Sequence, residues 1–112
     1  MLAGAMDELA VGNPADPATD VGPVIDRAAY DRLMGWREAN AANIIKTVPV
    51  PDGGLPMGFF VPPTAIRLVS VDDLNAEWFG PLVHVATWKA GELDALLARI
   101  NAKGFGLTMG LH

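Results

Sequence analysis

The tightest constraint on the fold comes from the last third of the chain. Leu93, Leu96, Leu97 and Ile100 fall on one stripe of a helix predicted over residues 90–102, while Glu92, Asp94 and Arg99 fall off it. Apolar runs at residues 83–88 and 105–111 flank that helix and read as the third and fourth strands. Gly104 marks the helix end. Strand, amphipathic helix and strand in succession bury their apolar faces together as a parallel crossover, so the expected class is α/β, a mostly parallel sheet with flanking helices.

Upstream, residues 1–11 read as a helix, with Leu2, Met6, Leu9 and Ala10 at helical spacing and Gly12 closing it. Residues 13–22, "NPADPATDVG", form a loop. Its acids lack the spacing of a calcium loop, so solvated side chains are expected. Asp26 is a fitting N-cap for a second helix that reaches about Asn40. Ala29, Tyr30, Leu33, Met34 and Trp36 give that helix an apolar side, and its two aromatics are read as core rather than as a ligand box. Residues 42–48 read as a first strand and residues 59–69 as a second, with Pro62-Pro63 at an edge or a bend. Between them, proline and glycine punctuate residues 49–58, a hairpin or surface connection without a phosphate-loop pattern. No linker divides the chain, and residues 1–112 are expected to form a single structural unit.

Charge and cysteine usage exclude several kinds of function. A net charge of −5 disfavours nucleic acid, and the eight Lys and Arg form no basic patch. No apolar run reaches the ~18 residues of a membrane span. The amino terminus lacks signal-peptide features, which points to the cytoplasm. With no cysteine, the chain has no disulfide, thiolate metal site or thiol nucleophile, and its two histidines do not indicate a metal. Hydrophobic residues make up 51% of the chain, a high share for so small a domain, and imply apolar surface that belongs against a partner. Both ends look like cuts, one inside a helix and one inside an apolar strand, so a piece of a larger α/β domain is expected.

Few residues suit chemistry. Asp72 and Asp73 are adjacent and point apart, so a solvated or helix-capping role is expected. His84 lies in an apolar strand and is read as a hydrogen-bonded core residue. His112, the last residue, supports no reading. Glu77-Trp78-Phe79-Gly80-Pro81 sets a carboxylate and two aromatic rings before a Gly-Pro turn. By itself Glu77 reads as a surface acid beside a turn rather than as a ligand-binding one.

That corner gains meaning from its neighbours. Phe60-Val61-Pro62-Pro63-Thr64 precedes it, and Asn101-Ala102-Lys103-Gly104-Phe105-Gly106-Leu107 follows the last helix. In this order the motifs resemble the aldehyde dehydrogenase superfamily over essentially the whole chain. "MLAGAMDEL", "TDVGPVID", "FGPLVHV" and "GLTMGLH" are similar to one branch, the glutamate semialdehyde (pyrroline-5-carboxylate) dehydrogenase module of bifunctional proline utilization proteins.

The resemblance implies part of an aldehyde dehydrogenase catalytic domain, working with NAD in the full-length enzyme. In that chemistry a cysteine thiolate attacks the aldehyde, hydride passes to the nicotinamide, and a glutamate activates water to hydrolyse the thioester. Glu77 matches the family glutamate that binds the hydroxyls of the nicotinamide ribose, whose vicinal diol offers two donors to a carboxylate's two acceptor oxygens. Phe79 matches the position that packs on the nicotinamide side. Gly80 and Pro81 are expected to hold the turn, and Trp78 replaces a smaller aliphatic residue with no role beyond packing. The nucleophile, the general base, the glycine-rich cofactor motif and the loop that grips the substrate carboxylate have no match, so no catalytic residue is assigned and the chain alone is expected to be inactive. Its expected partners are the rest of the parent chain, glutamate semialdehyde as the parent's substrate, and a further copy in a homo-oligomer. The competing expectation is a non-catalytic, self-associating module that keeps an aldehyde dehydrogenase-like fold.

Overall fold

A computed structural model describes residues 1–51, 58–106 and 108–111. Its elements run α1 (Leu2–Asp7), α2 (Arg27–Ala39), β1 (Ile44–Thr47), β2 (Thr64–Arg67), β3 (Leu82–Val85) and α3 (Leu93–Asn101), with single 3-10 turns at Ala41–Asn43 and Val71–Asp73. The strands form one sheet in the order β1-β2-β3.

The sheet is mixed, which corrects the expectation of a mostly parallel one. β1 runs antiparallel to β2, with Thr47 opposite Thr64 and an irregularity between Ile44 and Lys46. β2 runs parallel to β3, from Thr64 opposite Leu82 to Arg67 opposite Val85. β1 and β2, consecutive along the chain, thus pair as antiparallel neighbours. Residues 52–57 of the Pro- and Gly-rich connection between them lie outside the described part of the chain. β2 and β3 are joined by an irregular segment with one 3-10 turn rather than by a long helix.

The central strand carries the core. Ala65 and Ile66 of β2 are 0% exposed, and Val61, Thr64 and Leu68 are buried beside them. Burying a side chain such as Ile66 contributes roughly 1.5–3 kcal/mol. Met6 of α1 packs into the same cluster with Val11 and Val48, and Asp7 pairs with Lys46 of β1. Pro62-Pro63 thus marks a bend into a central strand, not a sheet edge. β2 starts only at Thr64, after the prolines that cannot donate to a ladder. Phe59 is left in an isolated antiparallel bridge with Val24.

Three further boundaries move for identifiable reasons. α1 stops at Asp7 because the next residues are drawn to the loop. The Asp20 carboxylate accepts the Ala10 N–H at 2.9 Å, and Val11 bridges Val21. Two other loop side chains also serve the backbone, the Asn13 amide oxygen and the Asp16 carboxylate accepting from Ala15 and Ala18 N–H. α3 starts at Leu93 because Gly91 sits at φ +90°, a left-handed conformation that a helix does not continue through. The predicted fourth strand at 105–111 is absent among the described residues. Gly104 at φ +73° and Gly106 at φ +146° break any extended run there; Leu107 and His112 lie outside the described residues.

α2 agrees with its sequence reading. Asp26 caps it, its carboxylate accepting the Ala29 N–H at 2.7 Å, and Asn40 closes it. Leu33, 2% exposed, points from α2 into the core. Tyr30 tilts onto Phe59 with ring centroids 6.1 Å apart, a packing contact as expected.

Candidate functional site

The Glu77–Pro81 corner leads into β3 and is fastened first by its own backbone. The Pro81 carbonyl accepts the Thr64 N–H of β2 at 2.9 Å, and the Leu82 N–H reaches the Gly80 carbonyl at 2.8 Å. Gly80 is needed here for close approach rather than for a left-handed turn. Among the described residues the positive-φ glycines are Gly91, Gly104 and Gly106. A Cβ on Gly80 would stand 2.5 Å from Leu33 Cδ1, and Leu33 is packed too tightly to yield.

Helix α2 fastens the corner from the other side. The Arg32 guanidinium donates to the Glu77 backbone carbonyl and lies 4.7 Å from the centre of the Trp78 ring. Trp78 stacks on Trp36, with centroids 4.4 Å apart and planes 18° from parallel. Trp36 in turn donates its indole N–H to His84 Nε2 at 2.9 Å. Arg37 Nε donates to Thr64 Oγ1 at 3.2 Å, and that hydroxyl donates to the Pro62 carbonyl at 2.7 Å. Arg32 and Trp36 are four residues apart, so one helix face presents both to the corner. Stacked rings and a cation above them add attraction beyond the area they bury.

His84 is hydrogen-bonded as the sequence predicted, but half-buried rather than in the core, and burial holds its imidazole below the usual histidine range. Trp78, which the sequence assigned only to packing, is the middle of a cation–ring–ring stack; its own indole N–H is buried without a partner among the described residues. Asp72 and Asp73 serve a helix turn, not an acid pair. Asp73 accepts the Ser70 N–H at 2.9 Å, and Ser70 Oγ accepts from Asp72 N–H at 3.2 Å. Arg99 hydrogen-bonds the Asp72 carboxylate at 2.5 Å and keeps it below the usual carboxylate range. A hollow of about 300 Å³ lined by Ser70, Trp88, Lys89 and Arg99 shares no residue with the corner.

The fastening acts on the backbone and on Trp78, and leaves two side chains of the corner uncommitted. The Glu77 carboxylate makes no hydrogen bond or ion pair among the described residues. Phe79 is 67% exposed. A carboxylate can accept hydrogen bonds from a ligand's hydroxyls, and an exposed aromatic ring can cover a flat group. Arg32 is the contributor that the sequence reading passed over, while Leu33 and Trp36 were read only as the apolar side of the helix. The i, i+4 spacing of Arg32 and Trp36 was the available signal, but nothing local says that the corner lies across from it.

The family model described as aldehyde dehydrogenase family matches residues 1–112. The bifunctional protein PutA of Klebsiella aerogenes is 42% identical over 118 residues, covering 100% of this chain and 9% of that protein. The 1-pyrroline-5-carboxylate dehydrogenase of Bacillus cytotoxicus is 40% identical over 103 residues, covering 90% of this chain and 19% of that enzyme. Among solved structures, a variant of Bradyrhizobium japonicum proline utilization A superposes with a TM-score of 0.84 at 37% identity, over 99% of this chain and 11% of that one. A Mycobacterium tuberculosis aldehyde dehydrogenase complexed with NAD+ gives a TM-score of 0.69 at 26% identity, over 83% of this chain and 20% of that one. The chain thus spans only a small part of the length of the proteins it matches. No helix among the described residues is long and apolar enough to cross a membrane.

Proposed function

The chain belongs to the aldehyde dehydrogenase family, and on that premise we propose that residues 1–112 are one structural unit in the catalytic domain of a cytoplasmic, NAD-dependent dehydrogenase. The parent enzyme oxidises L-glutamate γ-semialdehyde, the open form of pyrroline-5-carboxylate, to L-glutamate in proline catabolism. Similarity to PutA proteins along the whole chain, and to a 1-pyrroline-5-carboxylate dehydrogenase along most of it, supports this substrate.

The observation that carries the reading is the Glu77 carboxylate, without a hydrogen-bond or ion-pair partner among the described residues, on a backbone that Arg32 and Gly80 hold in place. Glu77 and Phe79 fit the nicotinamide end of the cofactor. With the cofactor bound, the Glu77 carboxylate would accept hydrogen bonds from the ribose hydroxyls and so orient the sugar. Phe79 lays an apolar face beside the ring and excludes water from that side. NAD+ bound there supplies the hydride acceptor. The chain contains no cysteine, so the thiol nucleophile comes from the rest of the parent chain, as do the general base and the pyrophosphate contacts. Alone, the chain binds NAD+ weakly and turns nothing over.

Exposed apolar side chains, Ile25 at 92% and Val69 at 87%, support burial against the rest of the parent and against a second copy of it. They also favour the second reading, a self-associating module without catalysis. The two readings separate on Glu77. In the parent dehydrogenase, Glu77→Gln removes the charge from two hydrogen bonds and is expected to raise KM for NAD+ about tenfold or more, since charge-assisted bonds are worth roughly 1.5–3 kcal/mol. Unchanged kcat and KM in that variant end the assignment.

A further inference from the structure

We propose that Arg32 is a positioning residue for the Glu77 carboxylate, an inference that rests on the cofactor reading above. From Asn75 to Phe79 the corner makes no backbone–backbone hydrogen bond among the described residues; the nearest lie at Leu74 on one side and Gly80 on the other. Across that gap, the hydrogen bond from Arg32 is the one that fixes the chain at Glu77. A carbonyl oxygen held in place fixes the peptide plane after Glu77, and with it the direction in which the side chain leaves the backbone.

The same guanidinium lies over the Trp78 ring, so one side chain secures two successive residues. Arginine suits this double task because its planar fork donates along its edge while its face rests on a ring. Its immediate neighbour on α2 does not compete for it, since the Asp31 carboxylate is taken by Arg27 at 3.0 Å. Arg32 engages the Glu77 carbonyl and not its carboxylate, so it orients the acid without occupying it. The lever is firm because it springs from the middle of a capped helix that is itself anchored by buried Leu33.

The test is a double-mutant cycle in the intact parent dehydrogenase, reading NAD+ affinity by calorimetry as well as KM and kcat. Arg32→Met keeps the stem and removes the donor and charge; its Kd and KM for NAD+ are expected to rise about fivefold, with KM for the aldehyde unchanged. Arg32→Lys, which keeps a cation and a donor, is expected to restore most of the affinity. Combined with Glu77→Ala, which removes the oriented group altogether, Arg32→Met is expected to add no further loss, because it acts through the group already removed. Multiplicative losses in the double variant, or a normal Kd in Arg32→Met beside a weakened one in Glu77→Gln, overturn the positioning role and leave the cofactor reading standing. A normal Kd in Glu77→Gln overturns both. Should Arg32→Met fail to fold, Arg32→Gln must show the same lack of additivity.

Discussion

Trp36 donates its indole N–H to Nε2 of His84 at 2.9 Å, joining helix α2 to strand β3 across 48 positions of sequence. The bond requires an imidazole whose Nε2 is unprotonated. Burial favours that neutral form and holds the His84 pKa below its ordinary value. The partner that backs Trp78, and through it the corner, is therefore sensitive to a proton.

The sign of the pH dependence follows. A histidine whose folded pKa lies below its unfolded value binds more protons unfolded, so stability rises with pH through that window. The contribution is complete above the ordinary histidine value of about 6.5 and is lost as pH falls through the lower folded pKa. Denaturant melts of the chain between pH 8 and pH 5 are expected to show this fall, and His84→Gln to flatten it. An equal fall in His84→Gln assigns the effect to other groups.

The two stacked tryptophans are expected to respond differently to phenylalanine. Trp36→Phe strands the His84 acceptor and loses a hydrogen bond, a cost of about 1–3 kcal/mol. Trp78→Phe removes an indole N–H that is buried without a partner among the described residues, so it keeps most of the stack at a loss of less than about 1 kcal/mol. Chemical unfolding of both variants compares them directly, and a larger loss in Trp78→Phe contradicts the network described.

Gly80→Ala forces a methyl toward Leu33 Cδ1, 2.5 Å from where its carbon would sit. Overpacking of this kind costs roughly 1–3 kcal/mol. Because the strain falls between α2 and the corner, the variant is expected to lower the melting temperature of the chain. In the parent enzyme it is also expected to raise KM for NAD+. Truncation of the obstructing side chain by Leu33→Ala in the same molecule should relieve part of the Gly80→Ala effect, at the expense of a cavity. Simple addition of the two losses argues against a clash at this point.

Elements governed by nearby residues were legible in the sequence. The Asp26 cap and the α3 stripe each depend on positions within a few residues, and both elements formed close to where they were read. The Ser70–Asp73 turn shows the same rule for Asp73, whose carboxylate caps it, whereas the Asp72 carboxylate pairs with Arg99 of α3. Misreadings arose where a distant group decided. Residues 8–11 have helical spacing, yet Asp20 and Val21 take their backbone groups. The β2 run is apolar from Phe59, yet the prolines and the pairing with β1 and β3 confine it to Thr64–Arg67. The role of Trp78 was illegible because Trp36 and Arg32 meet it only after the chain has folded back.

The sequence alone determined where the chain can bend, where α2 begins, which face of α3 is apolar, and that no thiol is available for catalysis. Those properties are covalent or act over a turn or two of chain. Only the tertiary structure decided that β1 and β2 pair antiparallel while β2 and β3 pair parallel, and that Arg32 meets the Glu77 carbonyl across 45 positions. Such contacts form when burial of the shared core offsets the entropy of closing long loops, a balance that no single segment of sequence expresses.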